Sequence, residues 1–232
     1  MYIYGKNVAK EKLQSNDKIN KAYVSKKFKD NEILDQLFKR NIRVNFVDNK
    51  VLDSKVDGLH QGIILEVEDY KYADIDDIIN TPNALIVILD HLEDPHNFGA
   101  IIRTCEAAGV TGIIIPKDRS VEVNATVIKV STGTTENMKI AKVTNLVQTI
   151  KELKEKNFWI VGTDMHGTDY DKIDYKGNIA IVIGNEGSGM SRLVKENCDF
   201  IATIPMIGTT DSLNASVSTG IIVYEAIKSR RV

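Results

Sequence analysis

The sequence predicts an α/β protein in which a C-terminal domain built on a parallel sheet follows a smaller α/β unit. Three observations carry this reading. From Ala84 onward, near-continuous apolar runs alternate with helical patterns, as strands buried on both faces alternate with the helices that cover them. Three polar or glycine-punctuated segments each follow such a run and precede a helix, the place where an open α/β sheet builds a ligand site. Upstream, an acidic stretch from Asp69 that closes on Pro82 separates this alternation from a shorter mixed pattern.

Within residues 1–68 a helical pattern follows Asn7 and Ala22 to Val24 form an apolar stretch. A helix is expected from Asp30 to Arg40, with strands at 42–47 and 63–67. Residues 69–82 are expected to form a linker, and 83–232 the larger domain. There, strands are predicted at 84–89, 112–115, 138–141, 158–163, 179–183 and 200–204. Helices are predicted at 98–108, 122–131, 144–156, 190–197 and 215–229.

A chain of 232 residues suffices for one large domain or two modest ones, and 43% hydrophobic with 27% charged residues is the composition of a soluble globular protein. No apolar run approaches the roughly 20 residues that span a bilayer, and residues 1–6 lack the apolar core of a secretion signal, so a cytoplasmic location is expected. Cys105 and Cys198 have no C-x-x-C spacing and are expected to be small buried hydrophobes in a reducing compartment. The net charge of −2 hides an asymmetry: residues 1–43 carry 11 Lys+Arg against 5 Asp+Glu, leaving +6 there and −8 in the remainder. A basic N-terminal third suits phosphate neutralisation, and it equally suits a solvated lysine-rich surface.

In a helix running from Phe98, Ile101, Cys105 and Ala108 share a face. Arg103 lies about 200° from Ile101, in the company of Gly99, Ala100 and Ala107, a face of small residues that permits close approach. Asn97 stands where an N-cap is expected. The loop Gly184-Asn-Glu-Gly-Ser-Gly189 lacks the Lys-Ser/Thr of a phosphate-binding loop and reads G-x-x-G-x-G, not the dinucleotide G-x-G-x-x-G. Glu186 within it has few structural uses in a tight glycine turn. His91 and His96, with Asp90, Glu93 and Asp94, fit none of the usual zinc spacings, and no metal is expected. His60 and His166 read as loop hydrogen-bonders.

Together, Asn97, Gly99 and Arg103, then Gly184, Asn185, Glu186 and Gly189, then Pro205, Met206, Gly208, Ser212, Leu213 and Asn214 resemble, in order and wording, the SpoU-type branch of the SPOUT methyltransferases. Ile3-Tyr-Gly-Lys-Asn7 and His60-Gln-Gly62 are similar to the small RNA-binding domain that precedes the catalytic domain in bacterial 23S rRNA guanosine members. The resemblance implies transfer of a methyl group from S-adenosylmethionine to a ribose 2′-hydroxyl of RNA. It also implies a SPOUT domain tied in a deep trefoil knot and a homodimer that completes the site across a two-fold axis. Gly99, Ala100 and the apolar stretch 221–227 are candidates for that interface.

By the same resemblance, Asn97, Arg103, Glu186, Ser212 and Asn214 form the catalytic group. Thr163, Gly184, Asn185, Gly189, Ile204, Pro205, Met206 and Leu213 form the cofactor site, with Ile204, Pro205 and Met206 as an apolar rim suited to an adenine ring. Because a guanidinium keeps its proton near neutral pH, Arg103 is expected to stabilise a developing alkoxide and the neighbouring phosphate. A guanosine of 23S rRNA is the preferred target and tRNA guanosine the runner-up. A non-catalytic RNA-binding ribosome-assembly factor is the alternative from another class, and a nucleotide-dependent oxidoreductase lacks its glycine fingerprint.

Overall fold

A computed structural model describes residues 1–15 and 18–231; Asn16, Asp17 and Val232, which fall inside the two predicted domains, lie outside the described residues. The chain forms two compact units. One comprises Met1–Lys71 with Val123–Gly133, the other Tyr72–Glu122 with Thr134–Val232.

The first unit contains β1 (Tyr2–Tyr4), α1 (Lys6–Gln14), β2 (Ile19–Ser25), α2 (Asn31–Lys39), β3 (Val44–Val47), α3 (Asn49–Asp53) and β4 (Ile63–Val67). Its sheet has the order β1-β4-β2-β3, antiparallel except for the β2/β3 pair. Strand β1 was absent from the predicted elements because three residues are too few to show a period. Apolar residues of α1 and α2, including Val8, Leu13, Ile33 and Leu37, pack with Ala22, Val24, Ile63 and Leu65 of the sheet. Asp30 caps α2 by accepting the Ile33 N–H.

In the second unit, α4 (Asp76–Ile79), β5 (Leu85–Leu89), α5 (Pro95–Ala108) and β6 (Gly112–Pro116) come first. The chain then contributes α6 (Ala125–Ser131) to the first unit, where Ala125 and Ile128 pack against the core around Ile3 and Val8. The sequence-based boundaries place that helix with the C-terminal domain. The second unit resumes with β7 (Ile140–Val143), α7 (Leu146–Glu155), β8 (Phe158–Asp169), β9 (Asn178–Ile183), α8 (Arg192–Glu196), β10 (Phe200–Thr203) and α9 (Ala215–Arg230). Its six strands are all parallel, in the order β10-β8-β9-β5-β6-β7.

Burial on both faces explains the unbroken apolar runs. Ile86, Ile88, Ala180 and Val182 pack with Leu146, Ile150 and Leu153 of α7, while the alternating Leu85, Val87, Leu89, Ile179, Ile181 and Ile183 are equally buried outside that cluster. Helices α5 and α9 pack on each other, and α9 on β9. Arg230 fastens the end of α9, donating to the carbonyls of Tyr175 (2.9 Å), Asn83 (2.9 Å), Ala84 (3.1 Å) and Gly177.

Of the residues expected to form a linker, 69–71 fall in the first unit and 72–82 pack within the second. The Ala73 N–H donates to the Ile140 carbonyl at 2.8 Å, and Ile78 is fully buried in the core around Ile86. Charge and a proline mark this stretch as polar, but two adjacent isoleucines are enough to fasten it. Ile78→Ala is therefore expected to lower the unfolding free energy by about 2–5 kcal/mol, read from a urea transition. A loss below about 0.5 kcal/mol, the size of an ordinary surface change, would place the segment outside the core.

Candidate active site

The site lies at the carboxyl ends of β8, β9 and β10, beside the loop after β5, within the second unit. Helix α5 starts earlier than predicted. Asp94 is its N-cap, accepting the His96 N–H at 2.9 Å, and Pro95 occupies the first turn, where its missing N–H costs nothing. Asn97 is thus not a cap but a residue of the first turn, 8% exposed. Its side chain joins the other two loops. Nδ2 of Asn97 donates to Oε1 of Glu186 at 2.9 Å, and Oδ1 of Asn97 accepts from Nδ2 of Asn214 at 2.8 Å. Asn214 in turn caps α9, its Oδ1 accepting the Ser216 N–H at 2.9 Å. A carboxylate only accepts, so Glu186 fixes which way the Asn97 amide faces, and Asn97 fixes Asn214.

The turn carrying Glu186 is closed by reciprocal backbone bonds between Asn185 and Gly189, both 3.0 Å. Asn185 commits its side chain to the protein: Oδ1 accepts the Gly187 N–H at 2.8 Å and Nδ2 donates to the His91 carbonyl at 2.7 Å. Asp90, almost wholly buried, ties the base of the turn by accepting the Ser191 N–H at 2.6 Å. A Cβ on Gly184 would stand 2.4 Å from the Gly189 carbonyl carbon and the Met190 nitrogen, so no other residue fits without displacing backbone.

Strand β8 departs furthest from the predicted pattern. It runs to Asp169, and its register against β10 jumps from Gly162 opposite Ile201 to Thr168 opposite Ala202, extruding 163–167. Thr163 donates to the Val182 carbonyl (3.0 Å), Thr203 to the Met165 carbonyl (3.0 Å), and Lys195 to Asp164 (2.8 Å). Burial opposes charge on Asp164, but the Lys195 ammonium and the His166 and Met165 N–H groups outweigh it and hold that carboxyl below its usual range.

These loops surround a cavity of 830 Å³. All eight residues expected at a cofactor site line it: Thr163, Gly184, Asn185, Gly189, Ile204, Pro205, Met206 and Leu213; so do Glu186 and Ser212 of the expected catalytic group. Asn97 reaches it through its bond to Glu186, and Asn214 through its bond to Asn97. Arg103 is not among the lining residues; it is exposed on α5, and among the described residues it has no hydrogen bond or ion pair. Ile101 and Cys105 are buried, as the helical face predicts. Gly99 is buried too, inside the protomer. Burial pushes the Cys198 thiol up to about 12 and that of Cys105 further.

The sequence pattern ends β8 at 163 and passes over Asp164, Met165, His166 and Asp169, which line the cavity. The signal available was Gly162 just before the extruded residues and Gly167 as the last of them. The wall carries Asp164, Asp169, Glu186 and Asp211 and, among the described residues, no Lys or Arg. Lys195 and Lys172 pair with Asp164 and Asp169 from outside, leaving Glu186 and Asp211, among the described residues, the wall carboxylates without an ion pair. Met206 and Leu213 are each 37% exposed along its rim.

Residues 84–224 match the model of the SpoU rRNA methylase family, and residues 2–73 match that of the RNA 2′-O ribose methyltransferase substrate-binding domain. The chain belongs to the SpoU rRNA methylase family. A protein of Bacillus subtilis (strain 168), YacO, named for the TrmH family of tRNA/rRNA methyltransferases, is 42% identical over 238 aligned positions, spanning 99% of this chain and 96% of its own. Among solved structures, an AdoMet-bound rRNA methyltransferase from Sinorhizobium meliloti is 26% identical with a TM-score of 0.77, covering 98% of this chain and 86% of that one. The SpoU methyltransferase AviRb from Streptomyces viridochromogenes, solved with AdoMet, shares the fold with a TM-score of 0.81 at 23% identity, over 98% of this chain and 89% of its own.

Asn97→Asp would set a second carboxylate against Glu186 and remove the donor that joins them. A stability loss of about 1–3 kcal/mol is expected at neutral pH. A carboxyl pair that shares a proton has one member with a raised pKa, so the missing stability should return as pH falls and be lost again as it rises. Denaturant titrations at several pH values read this; a pH-independent loss would contradict the contact. For Asp164, replacing Lys195 with Met is expected to raise the carboxyl midpoint followed by NMR, and an unmoved midpoint would show that the lysine does not hold the extruded segment.

Proposed function

We propose that this protein methylates a ribose 2′-hydroxyl of RNA using S-adenosylmethionine. The observation that carries the reading is the sign of the cavity: carboxylates and apolar rim residues, with no Lys or Arg on its described wall, at the ends of three parallel strands. Such a wall suits a ligand that is cationic and partly apolar, and it disfavours a nucleotide polyphosphate. S-adenosylmethionine fits that description and, when bound, supplies an electrophilic methyl on a good leaving group. Glu186 and Asp211 would face its positive charge, while Met206, Leu213 and the main chain at Ile204 would take its adenine.

The residues of this chain then have to place a hydroxyl oxygen in line with that methyl and ease its deprotonation. Alignment alone can lower a barrier by about 7 kcal/mol or more in favourable cases. Arg103, unpartnered among the described residues, is available to a backbone phosphate and to the negative charge that grows on the attacking oxygen. Asn97 holds Glu186 and Asn214 in fixed orientation, and Ser212 and Asn214 would position the ribose. A phosphate oxygen or water takes the proton.

A guanosine of 23S rRNA is the favoured target, supported by the match of residues 2–73 to a substrate-binding model. A tRNA guanosine is the second reading, because the name of the Bacillus subtilis relative covers both RNAs. A deep trefoil knot in the C-terminal segment, a cytoplasmic location and a homodimer belong to the same proposal. For the dimer, Val217 and Tyr224 offer exposed surface on α9, whereas Gly99 and Ile222 are used inside the protomer.

Purified protein incubated with labelled S-adenosylmethionine and either 23S rRNA fragments or bulk tRNA is expected to place label in ribose, and the labelled nucleotide identifies the substrate. Calorimetry that finds no binding of the methyl donor would sink the reading. Arg103→Ala is expected to lower kcat by about 10²–10³-fold with donor affinity unchanged, since Arg103 does not line the cavity. Near-normal turnover of Arg103→Lys would show that the planar fork is dispensable.

A further inference from the structure

The first unit has a cavity of its own, of opposite character. It measures 520 Å³, and its wall includes Lys6, Lys27, Lys29, Phe28, Asn49 and Gln61. It is built from the two N-terminal motifs, for which the chemistry of the second unit has no use. The Gly5 N–H donates to the Ile63 carbonyl at 3.3 Å, and the Lys6 N–H at the start of α1 donates to Oε1 of Gln61 at 2.8 Å. His60 stiffens the turn. Its Nδ1 accepts the Gly62 N–H at 2.9 Å, which leaves Nε2 as the donor to Asp53, also at 2.9 Å. His60 is 9% exposed, so this is an internal brace and not a surface contact.

On that brace the wall presents charge and an aromatic ring together. The Lys6 ammonium lies 5.2 Å from the centroid of the half-buried Phe28 ring, and Lys27 and Lys29 on either side of Phe28 are exposed. Among the described residues, three lysines line the cavity, Lys6 also lying 3.8 Å from Asp30, against one carboxylate, Asp53, which is engaged by His60. Asn49 spends Oδ1 on the Ser25 hydroxyl at 2.6 Å, and Gln61 spends Oε1 on α1, so each keeps an amide NH₂ able to donate. Cationic groups, amide donors and an aromatic surface in one concavity match an unstacked nucleotide, whose base offers a π-face and acceptor edges while its backbone offers phosphate. A duplex has no exposed base to insert.

We propose that this cavity binds a single-stranded nucleotide of the substrate RNA, its base against Phe28 and its flanking phosphates on Lys6, Lys27 and Lys29. The proposal rests on the reading of the protein as an RNA methyltransferase and adds where, and in what form, the RNA is held by the first unit.

The test uses the full chain and a fluorescein-labelled 12-nucleotide single-stranded RNA, with a duplex of equal length as the second probe, followed by anisotropy across a salt series. Wild type is expected to favour the single strand. Phe28→Ala should weaken it roughly tenfold, and Phe28→Tyr should restore it. The double variant Lys27→Ala/Lys29→Ala, at exposed positions that do not burden folding, should lower the slope of log affinity against log salt by ~1.4. Equal affinity for single strand and duplex, or wild-type affinity and slope in the lysine variant, overturns the proposal. Calorimetry with S-adenosylmethionine on the same samples separates the two readings. Donor binding without these RNA effects removes the nucleotide pocket alone, and loss of donor binding in wild type removes the methyltransferase reading.

Discussion

The hydrogen-bonded series from Glu186 through Asn97 to Asn214 is the constraint on which the site depends. Its members come from three loops separated by 89 and 117 positions in the chain, and no stretch of regular backbone joins them directly. Each bond is individually modest, about 1 kcal/mol net, yet leaving any of the groups partnerless costs more than the bond contributes. The series also has a direction. A carboxylate at one end and the N–H groups that open α9 at the other leave a single arrangement of the two amides between them. The loops after β5, β9 and β10 are thereby held in one relation, and the cavity wall inherits its shape from it.

Electrostatics divides the chain by task. The described wall of the cavity in the second unit carries carboxylates and no Lys or Arg, while that of the first unit carries three lysines and one carboxylate already engaged. The near-zero net charge of the whole protein conceals this, and the split between the basic first 43 residues and the acidic remainder foreshadows it. A cationic small ligand and a polyanion would thus be met by separate surfaces and need not compete for one.

Much of the fold was legible because burial on both faces of a parallel sheet writes itself as unbroken apolar runs: β5, β6, β9 and β10 fall within about one residue of their predicted ends. Three things were not legible. The start of α5 was placed at Phe98 because hydrophobic periodicity begins there, whereas Asp94 and Pro95 begin the helix by capping chemistry and a fixed φ. The extension of β8 could not be seen, since the residues extruded between Gly162 and Thr168 obey no period. Residues 72–82 look like a connection because three aspartates and a closing proline interrupt any apolar period, although Ile78 and Ile79 bury the segment in the core. At the site, the glycine turn and Asn97 were recognisable as separate motifs, but that one amide bridges Glu186 and Asn214 is a property of tertiary structure alone.

The extruded stretch of β8 ends at Gly167, just before the ladder resumes at Thr168, and an added Cβ on Gly167 would stand 2.3 Å from the Ile201 carbonyl oxygen. At that seam between β8 and β10 the backbones meet without a side chain to cushion them, next to Met165 and Ala202 on the cavity wall. Any larger residue there would pry the two strands apart like a wedge in a hinge. The width of the cavity mouth is thus set by the missing methyl group of a residue that need not touch the ligand at all.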